Sequence, residues 1–192
     1  RDPAPRDRAQ HLGHSHPVAV RLLALCTGNV SRSVWLGAML TGLAEQQGLE
    51  WQIRTAGTHA IEGAAISGRT RDALARIEEF VDVPITRHRS HQITEDDARW
   101  ADVIICFEVD HVNFVRREFP TASSRASLLR QLVREAPLDG HPVERVAAVA
   151  HCDPDRACET ADPAGGDQPV YDVTAQEVWE LAQALVTILG ED

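Results

Sequence analysis

Residues 24–35 read ALCTGNVSRSVW. The run leading into them, VAVRLLALC (18–26), is short, apolar and β-branched, the pattern of a buried strand. The run leading out, SVWLGAMLTGLAEQQG (33–48), carries apolar residues at helical spacing and stops at a glycine. Between them stand Gly28 and Asn29, two residues that accept a left-handed backbone in a tight turn. In a strand–turn–helix of this kind successive main-chain N–H groups face one point, and the helix N-terminus adds partial positive charge. Arg32 brings a planar, two-toothed donor suited to phosphate oxygens. Thr27, Gly28, Asn29, Val30, Ser31, Arg32 and Ser33 therefore form a candidate anion cup. Cys26 lies at its edge, where the same field favours the nucleophilic thiolate and Ser33 can donate a hydrogen bond to it. The reading requires a sulfur that is near the Arg32 side chain and open to solvent.

The rest of the chain supplies a setting for such a loop. WQIRTAG (51–57) and ADVIICF (101–107) read as further strands, and TEDDARW (94–100) as a capped helical turn. Helical spacing runs through 67–80, 110–119, 124–136 and 169–189, the last opened by a proline. VERVAAVAHC (143–152) fits a helix or a fourth strand. Strands alternating with helices imply a parallel sheet covered on both faces, with ligands bound beyond the carboxyl ends of its strands. Cys26 stands at that end of the first strand.

Composition narrows the functional classes. Of 192 residues, 43% are hydrophobic and 25% charged, an ordinary globular balance. The net charge of -10 disfavours non-specific binding to nucleic acid or anionic lipid. All 19 basic residues are arginine, so lysine chemistry is excluded. No apolar run has the length of a membrane helix, and no secretory leader pattern opens the chain, so a cytoplasmic protein is expected. Residues 1–17 are polar and aperiodic, and are expected to be a disordered extension before a single domain spanning 18–192. Three histidines there (His11, His14, His16) read as part of a solvated tail, and His151, Cys152 and Cys158 have poor spacing for a metal. No cofactor or metal is expected.

The segment CTGNVSRS resembles the phosphate loop of the low-molecular-weight protein tyrosine phosphatases, C-x-G-N-x-C-R-S. Further segments resemble that family in the same order: TAGTHA (55–60), HRSHQIT (88–94), ADVIICFEVDHVNFV and DPAGGDQPVY (162–171), the last in its bacterial form. The resemblance implies a three-layer αβα fold around a central four-stranded parallel sheet. It implies a phosphomonoesterase, a protein tyrosine phosphatase, with Cys26 as nucleophile, Arg32 as phosphate clamp and Asp162 as general acid and base. Phosphocysteine would be the intermediate, a phosphorylated protein or small aryl phosphate the substrate, and inorganic phosphate the product.

The chain also departs from the family. Ser31 replaces a second loop cysteine that can guard the nucleophile by disulfide formation, and Val34 replaces a proline. Slot aromatics are missing: Ile61, Ala164 and Gly165 stand in those neighbourhoods, with His59 and Tyr171 nearby in sequence. A branch acting on phosphoarginine shares the C-T-G-N start but has threonine where this chain has Val30, and an apolar residue there suits an aromatic ring better. A thiol-dependent arsenate reductase would need a relay of cysteines. Cys106 matches one, but 107–115 holds no other. A phosphate-binding interaction module is the non-catalytic alternative.

Overall fold

The structure, a computed structural model, describes residues 19–190. The expected extension at 1–17, with its three histidines, lies outside the described residues. Four parallel strands, β1 (Val20–Cys26), β2 (Trp51–Gly57), β3 (Val103–Cys106) and β4 (Ala126–Leu128), form one sheet in the order β2-β1-β3-β4. The helices are α1 (Arg32–Gln47), α2 (Gly68–Ala75), α3 (Glu95–Trp100), α4 (Val109–Glu118), α5 (Leu129–Glu135), α6 (Pro142–Ala150) and α7 (Gln168–Leu189).

Strand β1 is apolar and buried from Leu22 to Cys26 because it is covered on both faces there, while Arg21 pairs with Asp102 at its edge. Leu22, Ala24 and Cys26 pack into the core shared with α1, α2, α5, α6 and α7. Leu23 and Leu25 pack into a second core with α3 and α4. Alternation along β3 is the same: Val103 and Ile105 join the first core, Ile104 and Cys106 the second. The expected αβα layering is thus the observed one. The strand order reverses between β1 and β3, and the crevice beyond their carboxyl ends is where such sheets bind ligands.

Several elements differ from the sequence expectation. The run 124–136 does not form one helix: a 3-10 stretch (Pro120–Arg125) leads into β4, and α5 begins only at Leu129. Three strand residues are too few to show alternation, and their buried positions blend into the helical spacing that follows. The segment at 143–152 is a helix, α6, so β4 is the fourth strand. Helix α2 ends at Ala75; Ile77 adopts an extended backbone and Phe80 is buried from a separate 3-10 turn.

Candidate active site

The loop between β1 and α1 is held from outside by its carbonyls. Thr58 N–H donates to the carbonyl of Cys26 at 2.8 Å and His59 N–H to that of Thr27 at 2.9 Å. His88 Nε2 donates to the carbonyl of Asn29 at 2.8 Å, and Thr70 Oγ1 to that of Val30 at 2.9 Å. In a planar trans peptide the next residue's N–H points opposite to the carbonyl. Four carbonyls drawn outward therefore turn the amides of Thr27, Gly28, Val30 and Ser31 toward the loop's interior, forming the cup. Asn29 completes the turn with φ +52°, the left-handed region that asparagine tolerates. The approach to β2 is close: a Cβ on Gly57 would lie 2.5 Å from the carbonyl oxygen of Thr27 and 3.0 Å from Asn29 N.

Asn29 is the hub. Its Nδ2 donates to Ser33 Oγ at 2.9 Å and to Thr55 Oγ1 at 3.0 Å, and its Oδ1 accepts from His91 N–H at 2.9 Å. With Ser33 Oγ already accepting, the Ser33 proton is free for Cys26 Sγ, 3.0 Å away. Asn29 N–H also donates to that sulfur at 3.3 Å. Two donors thus converge on one sulfur. Burial holds the His88 imidazole below its ordinary pKa, and its Nε2 faces the carbonyl of Asn29.

The expectation of an open thiol is corrected: Cys26 is only 2% exposed. Its sulfur contacts Ser33 Oγ and Asn29 N–H, and the residue belongs to the first core. Arg32, 1% exposed, bonds the carbonyl of Thr160 and Glu108 Oε2 through NH1 (both 2.9 Å) and Asp162 Oδ2 through NH2 (2.8 Å). Its guanidinium carbon lies 5.7 Å from the Phe107 ring centre. Its Nε is buried with no hydrogen-bond partner. A buried donor left unmet costs about 1–3 kcal/mol.

Asp162 is brought to the loop from the far end of the sequence. Its Oδ1 accepts from Ala164 N–H at 3.0 Å, which aims Oδ2 at Arg32. The loop that carries it is tied to α2: Arg69 NH1 donates to the carbonyl of Gly166 at 2.9 Å, and Gln168 Nε2 to that of Arg69 at 3.2 Å. Asp167 caps α7 by accepting from Val170 N–H.

Glu108, His111 and Thr160 belong to the site and were not singled out from sequence. The first two follow directly on β3, beside the strand end that carries Cys26, and that position was the available signal. His111 is buried, with Nε2 2.9 Å from Thr27 Oγ1 and 3.2 Å from Glu108 Oε2. Burial, with Arg32 and His59 nearby, pushes its pKa down to about 3.

The other cysteines are distant in chemistry. Cys106 pairs in register with Leu25 and faces the α3–α4 core, whereas Cys26 faces the α1–α7 core. A disulfide requires Cβ atoms about 3.5–4.5 Å apart and pointing toward each other, which opposite sheet faces do not offer. Burial also pushes the Cys106 thiol far up. Among the described residues no group of three or more His, Cys, Asp or Glu could hold a metal ion, and no helix is long and apolar enough to cross a membrane. At the rim Ile61 is 78% exposed, and His59 packs edge-on against Phe114 with ring centres 5.5 Å apart.

A doubly covered parallel sheet with a cysteine-bearing anion loop at its switch point defines a phosphatase of the cysteine type. The model of the low molecular weight phosphotyrosine protein phosphatase family matches residues 21–140, well over half of the chain, and the chain belongs to that family. Two relatives are protein-arginine-phosphatases. One, from Geobacillus stearothermophilus, is 27% identical over 165 residues, covering 86% of this chain and 93% of the relative. The other, from Bacillus subtilis, is 25% identical over 171 residues, covering 89% and 97%. The crystal structure of a YwlE mutant from Bacillus subtilis shares the fold with TM-score 0.72, at 24% identity over 90% of this chain and all of that one.

Proposed function

We propose that the chain dephosphorylates phosphotyrosine in a protein, with Cys26 as nucleophile, Arg32 as clamp and Asp162 as acid and base. The observation that carries the chemistry is the cup: four inward amides, a buried guanidinium with an unmet donor, and a sulfur with two donors on it. The thiolate attacks phosphorus as the ester P–O bond breaks, and Asp162 gives its proton to the departing oxygen. Water then attacks phosphocysteine, losing its proton to Asp162, and the S–P bond breaks to release inorganic phosphate. Amides of Thr27, Gly28, Val30 and Ser31, with Arg32, hold the equatorial oxygens in both steps. A cytoplasmic location fits this role.

Two rim residues support the tyrosine reading. The half-buried Val30 and the exposed Ile61 offer apolar surface rather than a partner for a charged leaving group. A second reading, phosphoarginine, is favoured by the names of the two curated relatives. Peptides carrying phosphotyrosine, phosphoarginine or phosphoserine distinguish them. The proposal expects kcat/KM for phosphotyrosine at least about tenfold above the others, a difference of one good contact. The reverse ranking assigns the enzyme to phosphoarginine. With a simple aryl phosphate, Cys26→Ser should abolish turnover, and a variant as active as the parent would remove Cys26 from the chemistry.

A further inference from the structure

We infer that His111 is a positioning residue for the phosphate loop, setting the hydroxyl of Thr27 as a further donor to the bound oxyanion and holding Glu108 beside Arg32; this rests on the phosphatase reading above. The assignment follows from proton counting on one buried ring. Nδ1 faces two main-chain donors, Phe107 N–H at 3.4 Å and Glu108 N–H at 3.2 Å, so it accepts and carries no hydrogen. The single ring proton is therefore on Nε2, 2.9 Å from Thr27 Oγ1 and 3.2 Å from Glu108 Oε2. Both can accept it. With its oxygen accepting, Thr27 keeps its own hydroxyl proton, and among the described residues no protein group takes that proton. Thr27 is the loop residue next to Cys26, and it is half-buried.

Nδ1 also caps the start of α4, accepting from the N–H of Glu108. A second proton would have to enter at Nδ1 against two N–H groups, inside a core and close to Arg32. The downward pKa shift agrees, so His111 remains neutral wherever the enzyme works. A neutral, tautomer-locked imidazole cannot exchange protons with substrate, but it can fix which way a hydroxyl points.

The test measures inorganic phosphate binding by calorimetry and aryl phosphate kinetics on the parent, His111→Leu, His111→Gln, Thr27→Val and the double variant Thr27→Val/His111→Leu. The Leu and Val changes should each weaken phosphate binding about tenfold, as one charge-assisted hydrogen bond is lost. The loss should appear as raised KM with kcat within about threefold, because the bond serves ground and transition states alike. The double variant should be no weaker than the worse single one. His111→Gln, whose amide can offer a donor where Nε2 stands, should keep phosphate affinity within about threefold of the parent. If His111→Leu does not fold, Thr27→Val losing affinity while His111→Gln keeps it sustains the inference. Unchanged phosphate affinity in Thr27→Val or in a folded His111→Leu, additive losses, or a Gln variant as weak as Leu overturns it. A parent that neither binds phosphate nor cleaves the ester overturns the functional reading itself, an outcome distinct from these.

Discussion

The proposed mechanism asks two opposed things of Asp162. As acid it must give a proton to the leaving group; as a neighbour of Arg32 it takes a donor that the phosphate needs. Asp162→Asn separates them. Turnover of an aryl phosphate should fall by about 10²–10⁴, the usual contribution of a positioned acid. Inhibition by inorganic phosphate should become tighter, since a neutral amide competes less for the guanidinium. Steady-state kinetics with phosphate as inhibitor reads both. Weaker phosphate inhibition would mean that Asp162 helps to build the cup rather than sharing its cation. The depth of Cys26 was not legible in the sequence: spacing located the thiol and Arg32 in one loop and the family resemblance named Asp162, but neither showed the burial or the contact of Glu108 with the guanidinium.

Between elements, β2 supports the loop by contact as well as by hydrogen bonds. Gly57→Ala places a methyl group against the carbonyl of Thr27, 2.5 Å away, so main chain must move. Activity should fall by more than about tenfold with a stability loss of about 1–3 kcal/mol, measured by aryl phosphate turnover and denaturant unfolding. Full activity would show that the cup tolerates displacement. The connection beyond β2 is joined to α3 through His91, which contacts Glu62 Oε1 at 3.3 Å and Asp97 Oδ2 at 2.8 Å. Burial lowers the His91 pKa, but hydrogen bonds and charge from Asp97 and Glu62 outweigh it, leaving it above the ordinary 6.5. A raised folded value stabilises the fold fully below 6.5 and ceases to do so as pH rises through the folded value. Urea midpoints should therefore decline across that window in the parent, and less in His91→Gln; parallel profiles would contradict it. Long elements such as α1 and α7 were legible because each carries apolar residues at helical spacing, α1 stopping at a glycine and α7 opening with a proline. Strand β4 was not, because three residues carry no period and a helix follows without a break.

Across the whole molecule, the site joins three distant stretches: Cys26–Ser33, Phe107–His111 and Thr160–Asp162. The first was legible through turn chemistry; in the last, Asp162 was named through the family resemblance and Thr160 was not. The middle was not, since Glu108 and His111 gain meaning only when β3 lies beside β1 in register. The same register separates Cys106 from Cys26 by the thickness of the sheet, which argues against a cysteine relay between them. The central claim is that this convergence makes one sulfur the atom that takes up phosphorus. Acid-quenching the enzyme during aryl phosphate turnover and mapping its peptides by mass spectrometry tests that directly. The account predicts one added phosphoryl group, on Cys26, absent from Cys26→Ser under the same quench. Turnover at full rate with the phosphoryl group on another residue would contradict it.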